Sequence, residues 1–224
     1  MTLPLSNPPE DPDFPKYIVV EGPIGAGKTT LALRLAETFQ YSMLREGAAE
    51  NPFLEQFYRT GRQQALPTQL FFLLQRAKQV SDLGHAMFRP TLVSDFMIEK
   101  DRLFAEINLT EEEFSLYDQI YQQLDINPPS PDLVIYLQAP VNILLQRIKR
   151  RGIPAEQNMA ADYLEALSGA YTRFFHYYDS APLLIVNSEA IDLAENDEHF
   201  ESLLKQIRSM DGIRQYFNPQ PSFL

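Results

Sequence analysis

The sequence predicts an α/β domain built on a parallel five-stranded sheet with helices on both faces. Three observations carry this prediction. Short runs rich in Val, Ile and Leu alternate with longer runs of helical spacing along the 224 residues. The short runs are apolar at successive positions rather than at every second one, as expected of strands covered on both faces. A glycine-rich turn, Gly22-Pro23-Ile24-Gly25-Ala26-Gly27-Lys28-Thr29-Thr30, joins the first strand to the first helix.

The elements follow in order. Residues 1–15 hold five of the 17 prolines together with acidic residues. Proline's locked φ and missing N–H oppose helix and sheet alike, so this stretch reads as a flexible leader without catalytic content. Strands are expected at 17–21 (YIVVE), 42–46 (SMLRE), 91–96 (TLVSDF), 132–139 (DLVIYLQA) and 182–187 (PLLIVN). Helical spacing covers 29–39, 68–88, 111–124, 141–151, 160–178 and 199–210. The aromatic run 171–178 (YTRFFHYY) is expected to be core or a dimer face. Residues 218–224 read as an irregular tail, which leaves 16–217 as a single domain.

With 45% hydrophobic residues the chain can bury a full core. Its 30 Asp and Glu against 19 Lys and Arg give a formal charge of −11. A nucleic-acid partner is excluded as a main task, because affinity for phosphate backbones needs clustered cations that displace counterions. There is no cysteine, hence no disulfide, zinc thiolate or cysteine nucleophile. No apolar run reaches the roughly 20 residues of a membrane span, and the N-terminus lacks a signal-peptide pattern, so a cytoplasmic protein without a membrane partner is expected. His85, His176 and His199 show no metal-ligand spacing.

In α/β sheets ligands gather beyond the carboxyl ends of the strands. After the first strand, residues 22–29 satisfy the pattern Gly-x-x-x-x-Gly-Lys-Ser/Thr. The glycines let successive N–H groups point inward at phosphate oxygens, and the helix N-terminus adds its positive dipole end. Residues 22–30 are thus expected to bind a nucleoside triphosphate, the ATP-binding set of a kinase, where Lys28 would bridge the β- and γ-phosphates and the Thr29 hydroxyl would ligate Mg²⁺. No Asn-Lys-x-Asp guanine motif and no Leu-Ser-Gly-Gly-Gln segment occurs, which leaves mainly small-molecule kinases. At the end of the second strand Glu46 is either a proton acceptor for an attacking hydroxyl or an exposed loop glutamate. After the third, Asp95 is either a Mg²⁺ partner or a helix cap. Residues 147–151 (RIKRR) place four cations in five residues. A helix end accounts for one or two of them.

The segments EGPIGAGKTT (21–30), ENPFLEQFY (50–58), PTQLFFLLQR (67–76), VSDFMIEKDRLFA (93–105), PDLVIYLQAP (131–140) and RIKRRG (147–152) together resemble the deoxynucleoside kinase family, in particular the bacterial deoxyguanosine and deoxyadenosine kinases. The resemblance implies a P-loop kinase fold with a basic lid and, by family habit, a homodimer. It implies that Glu46 is the general base for the sugar 5′-hydroxyl, that Tyr58 contacts the 3′-hydroxyl, and that Gln69 pairs with the base edge. Phe71, Phe72 and Phe104 would supply stacking walls, or simply core. Arg147 and Arg151 match the lid arginines that close over the triphosphate, Ile153 stands where many relatives have a further arginine, and Glu156 matches a lid acid near the 3′-hydroxyl. Many members carry Glu/Asp-Arg-Ser after the third strand. Here Asp95-Phe96-Met97 keeps the acid and lacks the arginine, leaving Arg45 or Arg76 to supply its charge. The expected activity is ATP-dependent 5′-phosphorylation of a deoxynucleoside, with purines foremost. The rivals are a nucleoside monophosphate kinase and a non-catalytic nucleotide-binding subunit.

Overall fold

The structure, a computed structural model, describes residues 14–84, 91–189, 193 and 196–219. Most of the leader, His85 and the rest of the 85–88 helix end, and the tail beyond Pro219 lie outside the described residues.

The chain runs through β1 (Tyr17–Glu21), α1 (Lys28–Phe39), β2 (Ser42–Leu44), α2 (Leu54–Thr60), α3 (Ala65–Gly84), β3 (Leu92–Ser94), α4 (Lys100–Asn108) and α5 (Glu111–Gln123). It continues with β4 (Leu133–Gln138), α6 (Val141–Arg151), α7 (Ala161–Tyr177), β5 (Leu183–Asn187), α8 (Asp197–Arg208) and β6 (Arg214–Phe217). Among the described residues the sheet has six parallel strands in the order β2-β3-β1-β4-β5-β6, one more than the sequence predicted. The addition is β6, which pairs with β5 from Leu183↔Arg214 to Val186↔Phe217. Its sequence, RQYF, carries no apolar run because an edge strand is only partly covered and Phe217 alone is buried. Helical spacing in the sequence did not mark α2 and α4.

Alternate residues of the central strands serve opposite faces, which is why those strands are apolar throughout. Ile18, Val20, Ile135 and Leu137 pack with Leu31 and Leu35 of α1, Leu144 and Ile148 of α6 and Leu203 of α8. Val19, Val134 and Tyr136 face the other way, onto Leu167, Tyr171 and Phe175 of α7. The aromatic run is therefore largely core: the Tyr136 and Phe175 rings stack with centroids 4.3 Å apart. Only Tyr177 of that run is strongly exposed among the large hydrophobics. A third cluster joins α3, α4 and α5 through Leu73, Ala105 and Tyr117.

Helix ends follow their local chemistry. Thr110 and Glu113 form a reciprocal capping box at the start of α5. α6 stops at Gly152, whose φ of 73° is left-handed, with Lys149, Arg150 and Arg151 in its last turn. The strand order places β1 between β3, reached by way of the outer β2, and β4 on the opposite side. That reversal opens a crevice at the carboxyl ends of β1, β3 and β4, where the site is found.

Candidate active site

β1 ends in Glu21, and the chain turns immediately into the glycine loop. At Gly22 a Cβ would lie 2.6 Å from the Leu137 carbonyl oxygen; at Gly25, where φ is 86°, it would lie 2.8 Å from that of Leu144. Both positions require glycine, because the loop is pressed against β4 and α6. Lys28 Nζ donates to the carbonyls of Gly22 (2.7 Å) and Pro23 (3.1 Å), folding back over the loop. Burial, together with the ammonium of Lys100, lowers its pKa to about 8.

Asp95, the residue after β3, connects the two halves of the site. Its Oδ2 accepts from the Thr29 hydroxyl at 2.5 Å, and its Oδ1 accepts the Glu46 backbone N–H at 2.7 Å. Thr29 Oγ1 and Asp95 Oδ2 thus converge beside Lys28 as hard oxygen donors, which suits Mg²⁺, a cation that keeps waters and takes phosphate oxygens as further ligands. Among the described residues no group of three or more His, Asp or Glu is placed to hold a metal ion unaided.

Glu46 lies in the loop after β2 with its carboxylate turned inward. Oε1 accepts from Arg76, with Nε at 2.9 Å and Nη2 also engaged, and Oε2 accepts from Lys100 Nζ at 3.0 Å. Burial by itself would raise this carboxyl's pKa; the charges of Lys100 and Arg76 outweigh it and hold the group well below the usual carboxylate range. Arg45, the other candidate for the missing positive charge, is exposed, so of the two it is Arg76 that reaches Glu46. Arg76 is buried, lies over the Phe72 ring at 4.6 Å and also pairs with Asp101. Asp101 is fully buried and further accepts from the Tyr117 hydroxyl (2.7 Å) and from Gln69 Nε2 (3.2 Å), which also reaches the Asp101 carbonyl at 3.0 Å.

One cleft of about 780 Å³ gathers nearly every residue singled out in the sequence. Ile24 to Thr30 line its phosphate end; Glu46, Tyr58, Gln69, Phe104, Asp95 and Glu156 line the rest, with Arg147 and Arg151 at the lid. Gly22 and Pro23 do not line it: they act through their carbonyls on Lys28. Phe72 is part of the wall, while Phe71 is not. Burial pushes the Tyr58 phenol far above its ordinary pKa, so it stays protonated and can donate. Arg151 Nη2 donates to the buried Glu156, and Arg147 holds Ser188, after β5, through its carbonyl (2.5 Å) and hydroxyl (3.2 Å). Glu21, Lys100 and Asp101 escaped the sequence reading. Their contacts join segments up to 150 residues apart, and the only signal was that charged residues fall at positions flanked by core.

Comparison with known proteins gives the family. The family model described as "Deoxynucleoside kinase" matches residues 18–210. Deoxyguanosine kinase of Bacillus subtilis (strain 168) is 32% identical over 200 residues, covering 87% of this chain and 97% of that protein. Deoxyadenosine kinase of Lactobacillus acidophilus is 29% identical over 206 residues, covering 86% and 94%. A solved structure of deoxyadenosine kinase from M. mycoides, with dCMP and a flexible dCDP bound, superposes with a TM-score of 0.73 at 26% identity, over 87% of this chain and all of that one. The chain belongs to the deoxynucleoside kinase family.

Proposed function

We propose that the protein transfers the γ-phosphoryl group of ATP to the 5′-hydroxyl of a deoxynucleoside, with purine deoxynucleosides as the main acceptors. The observation that carries this reading is the double use of Asp95, which ties the Glu46 backbone and the Thr29 hydroxyl of the phosphate loop to one carboxylate. A proton acceptor and a triphosphate cradle then face the same cleft at a set separation.

The acceptor would lie among Tyr58, Gln69 and Phe104. Gln69 donates its Nε2 to Asp101, so its amide oxygen would be the group offered to a base N–H, while Tyr58 and Glu156, which also line the cleft, would meet the sugar 3′-hydroxyl. Glu46 takes the 5′-hydroxyl proton as the new O–P bond forms and the bond from the γ-phosphorus to the β,γ-bridging oxygen breaks, with ADP leaving. Its low basicity suits a proton that moves late, when the hydroxyl has already become acidic. Lys28, released from its loop carbonyls, and Arg147 and Arg151 of the lid would bear on the phosphates and counter the charge of the transferring group. Thr29 and Asp95 are the residues that would hold Mg²⁺, which would supply neutralisation of phosphate charge. Positioning and charge stabilisation would supply most of the rate.

The same reading includes a single kinase domain over 16–217, a cytoplasmic location and a homodimer. Leu74 of α3 and Leu116 of α5, both exposed on helices that pack against each other, are surfaces such a dimer would cover. The test of activity is incubation with Mg·ATP and a panel of deoxynucleosides and nucleoside monophosphates, followed by product identification. 5′-Monophosphates of deoxynucleosides are expected. Product from monophosphates alone would point to a monophosphate kinase, and no product from any acceptor to a nucleotide-binding subunit.

A further inference from the structure

Lys100 is the first residue of α4, only 2% exposed, and has figured so far only as a charge beside Glu46 and Lys28. A lysine so deep in a protein needs a reason, since burial disfavours its charge unless anionic partners surround it. Its ammonium lies between two carboxylates, 3.0 Å from Glu46 Oε2 and 3.7 Å from Glu21 Oε1, with the Phe96 ring centroid 5.9 Å away. The two carboxylates belong to different parts of the machine. Glu46 faces the acceptor. Glu21 is fully buried at the root of the phosphate loop, where it accepts the backbone N–H groups of Gly22 (3.0 Å) and Met97 (2.9 Å) and the Tyr171 hydroxyl (3.0 Å).

Arg76 and Lys100 divide the work at Glu46. Arg76 takes Oε1 and leads away to Asp101 and the base end of the cleft. Lys100 takes Oε2 and leads to Glu21 and the phosphate end. A carboxylate gripped at one oxygen still rotates about its Cγ–Cδ bond. Gripped at both, from opposite ends, it has one orientation.

We propose that Lys100 is a positioning residue for phosphoryl transfer: held between Glu46 and Glu21, its ammonium orients the Glu46 carboxylate and fixes it to the root of the phosphate loop. The proposal rests on the reading of Glu46 as the proton acceptor. The Phe96 ring, its centroid 5.9 Å from the ammonium, gives Lys100 an apolar neighbour on the side of Asp95 in the chain.

The experiment compares the wild type, K100M, K100R, E46Q and the K100M/E46Q double variant, with kcat and the KM for each substrate measured while the other is saturating. K100M is expected to lower kcat by roughly 10- to 100-fold, the scale of a misplaced reacting group, with both KM values within about threefold of wild type. K100R, which keeps a cation between the two carboxylates, should recover most of that loss. Because Lys100 acts through Glu46, the double variant should be no slower than E46Q alone. Wild-type kcat in a folded K100M variant, equal defects in K100M and K100R, or a full additional loss in the double variant would each overturn the proposal. Should K100M not fold, K100Q takes its place under the same criteria. Absence of deoxynucleoside turnover by the wild type would instead overturn the functional reading, and with it the proposal. Wild-type turnover with an unaffected K100M overturns the proposal alone.

Discussion

Glu46 illustrates how much of this site depends on charges brought together by folding. The motif spacing made Lys28, Thr29, Glu46 and Asp95 legible in the sequence, since each directly follows a strand or closes a known pattern. Their partners were not legible: Arg76 lies 30 residues and Lys100 54 residues from Glu46 in the chain, and no local pattern announces such pairing. Arg76 joins Glu46 and Asp101 while itself buried, so R76L should leave the buried Asp101 without its cation and Glu46 with Lys100 alone, and cost about 3–5 kcal/mol in stability. Urea unfolding measures this, and a loss below about 1 kcal/mol would contradict it. Lys28 yields a pH prediction. With its pKa lowered to about 8, the nucleotide-free protein loses this cation as pH rises through 8, and bound triphosphate draws the proton back. Affinity for Mg·ATP should therefore fall above pH 8, and calorimetry in two buffers of different ionisation heat should show net proton uptake on binding near pH 8. Zero uptake there would count against this assignment.

Elements were read unevenly. β1, α1, β4, α6 and β5 lie within a residue or two of their expected bounds, because each combines a continuous apolar run or a clear helical face with a sharp end. The strands expected at 42–46 and 91–96 are shorter, only Ser42–Leu44 and Leu92–Ser94, since Glu46 and Asp95 leave the sheet to face the cleft. Seven-residue α2 and nine-residue α4 escaped the periodicity reading because about two turns of helix show too little of it, yet α4 carries Lys100 and Phe104 into the cleft and sets Asp101 behind Gln69 and Arg76. The glycine loop is the element most sensitive to change. At Gly25 a side chain would meet both an unfavourable φ of 86° and the Leu144 carbonyl, so G25A should weaken Mg·ATP binding at least tenfold, about 1.4 kcal/mol. Unchanged affinity in a titration would show that the loop adapts more freely than its packing suggests.

At the scale of the molecule, the formal charge of −11 coexists with a cleft that gathers cations. Lys28, Arg76, Lys100, Arg147, Arg150 and Arg151 all line one cavity, while acids prevail across the chain. This distribution favours a small anion neutralised by metal and disfavours a polyanion, so single-stranded DNA should show no measurable binding at physiological salt by fluorescence anisotropy. The sheet order sets the cleft: because β1 sits at the reversal of strand order, the phosphate loop, Asp95 and Glu46 all emerge on one edge. That arrangement makes proton removal by Glu46 the central claim. Its most direct test is turnover of a deoxynucleoside by E46Q beside a Kd for Mg·ATP. A kcat lower by roughly 10²–10⁴-fold with nearly unchanged ATP affinity is the predicted result; a kcat within a few-fold of wild type would remove Glu46 from the chemistry.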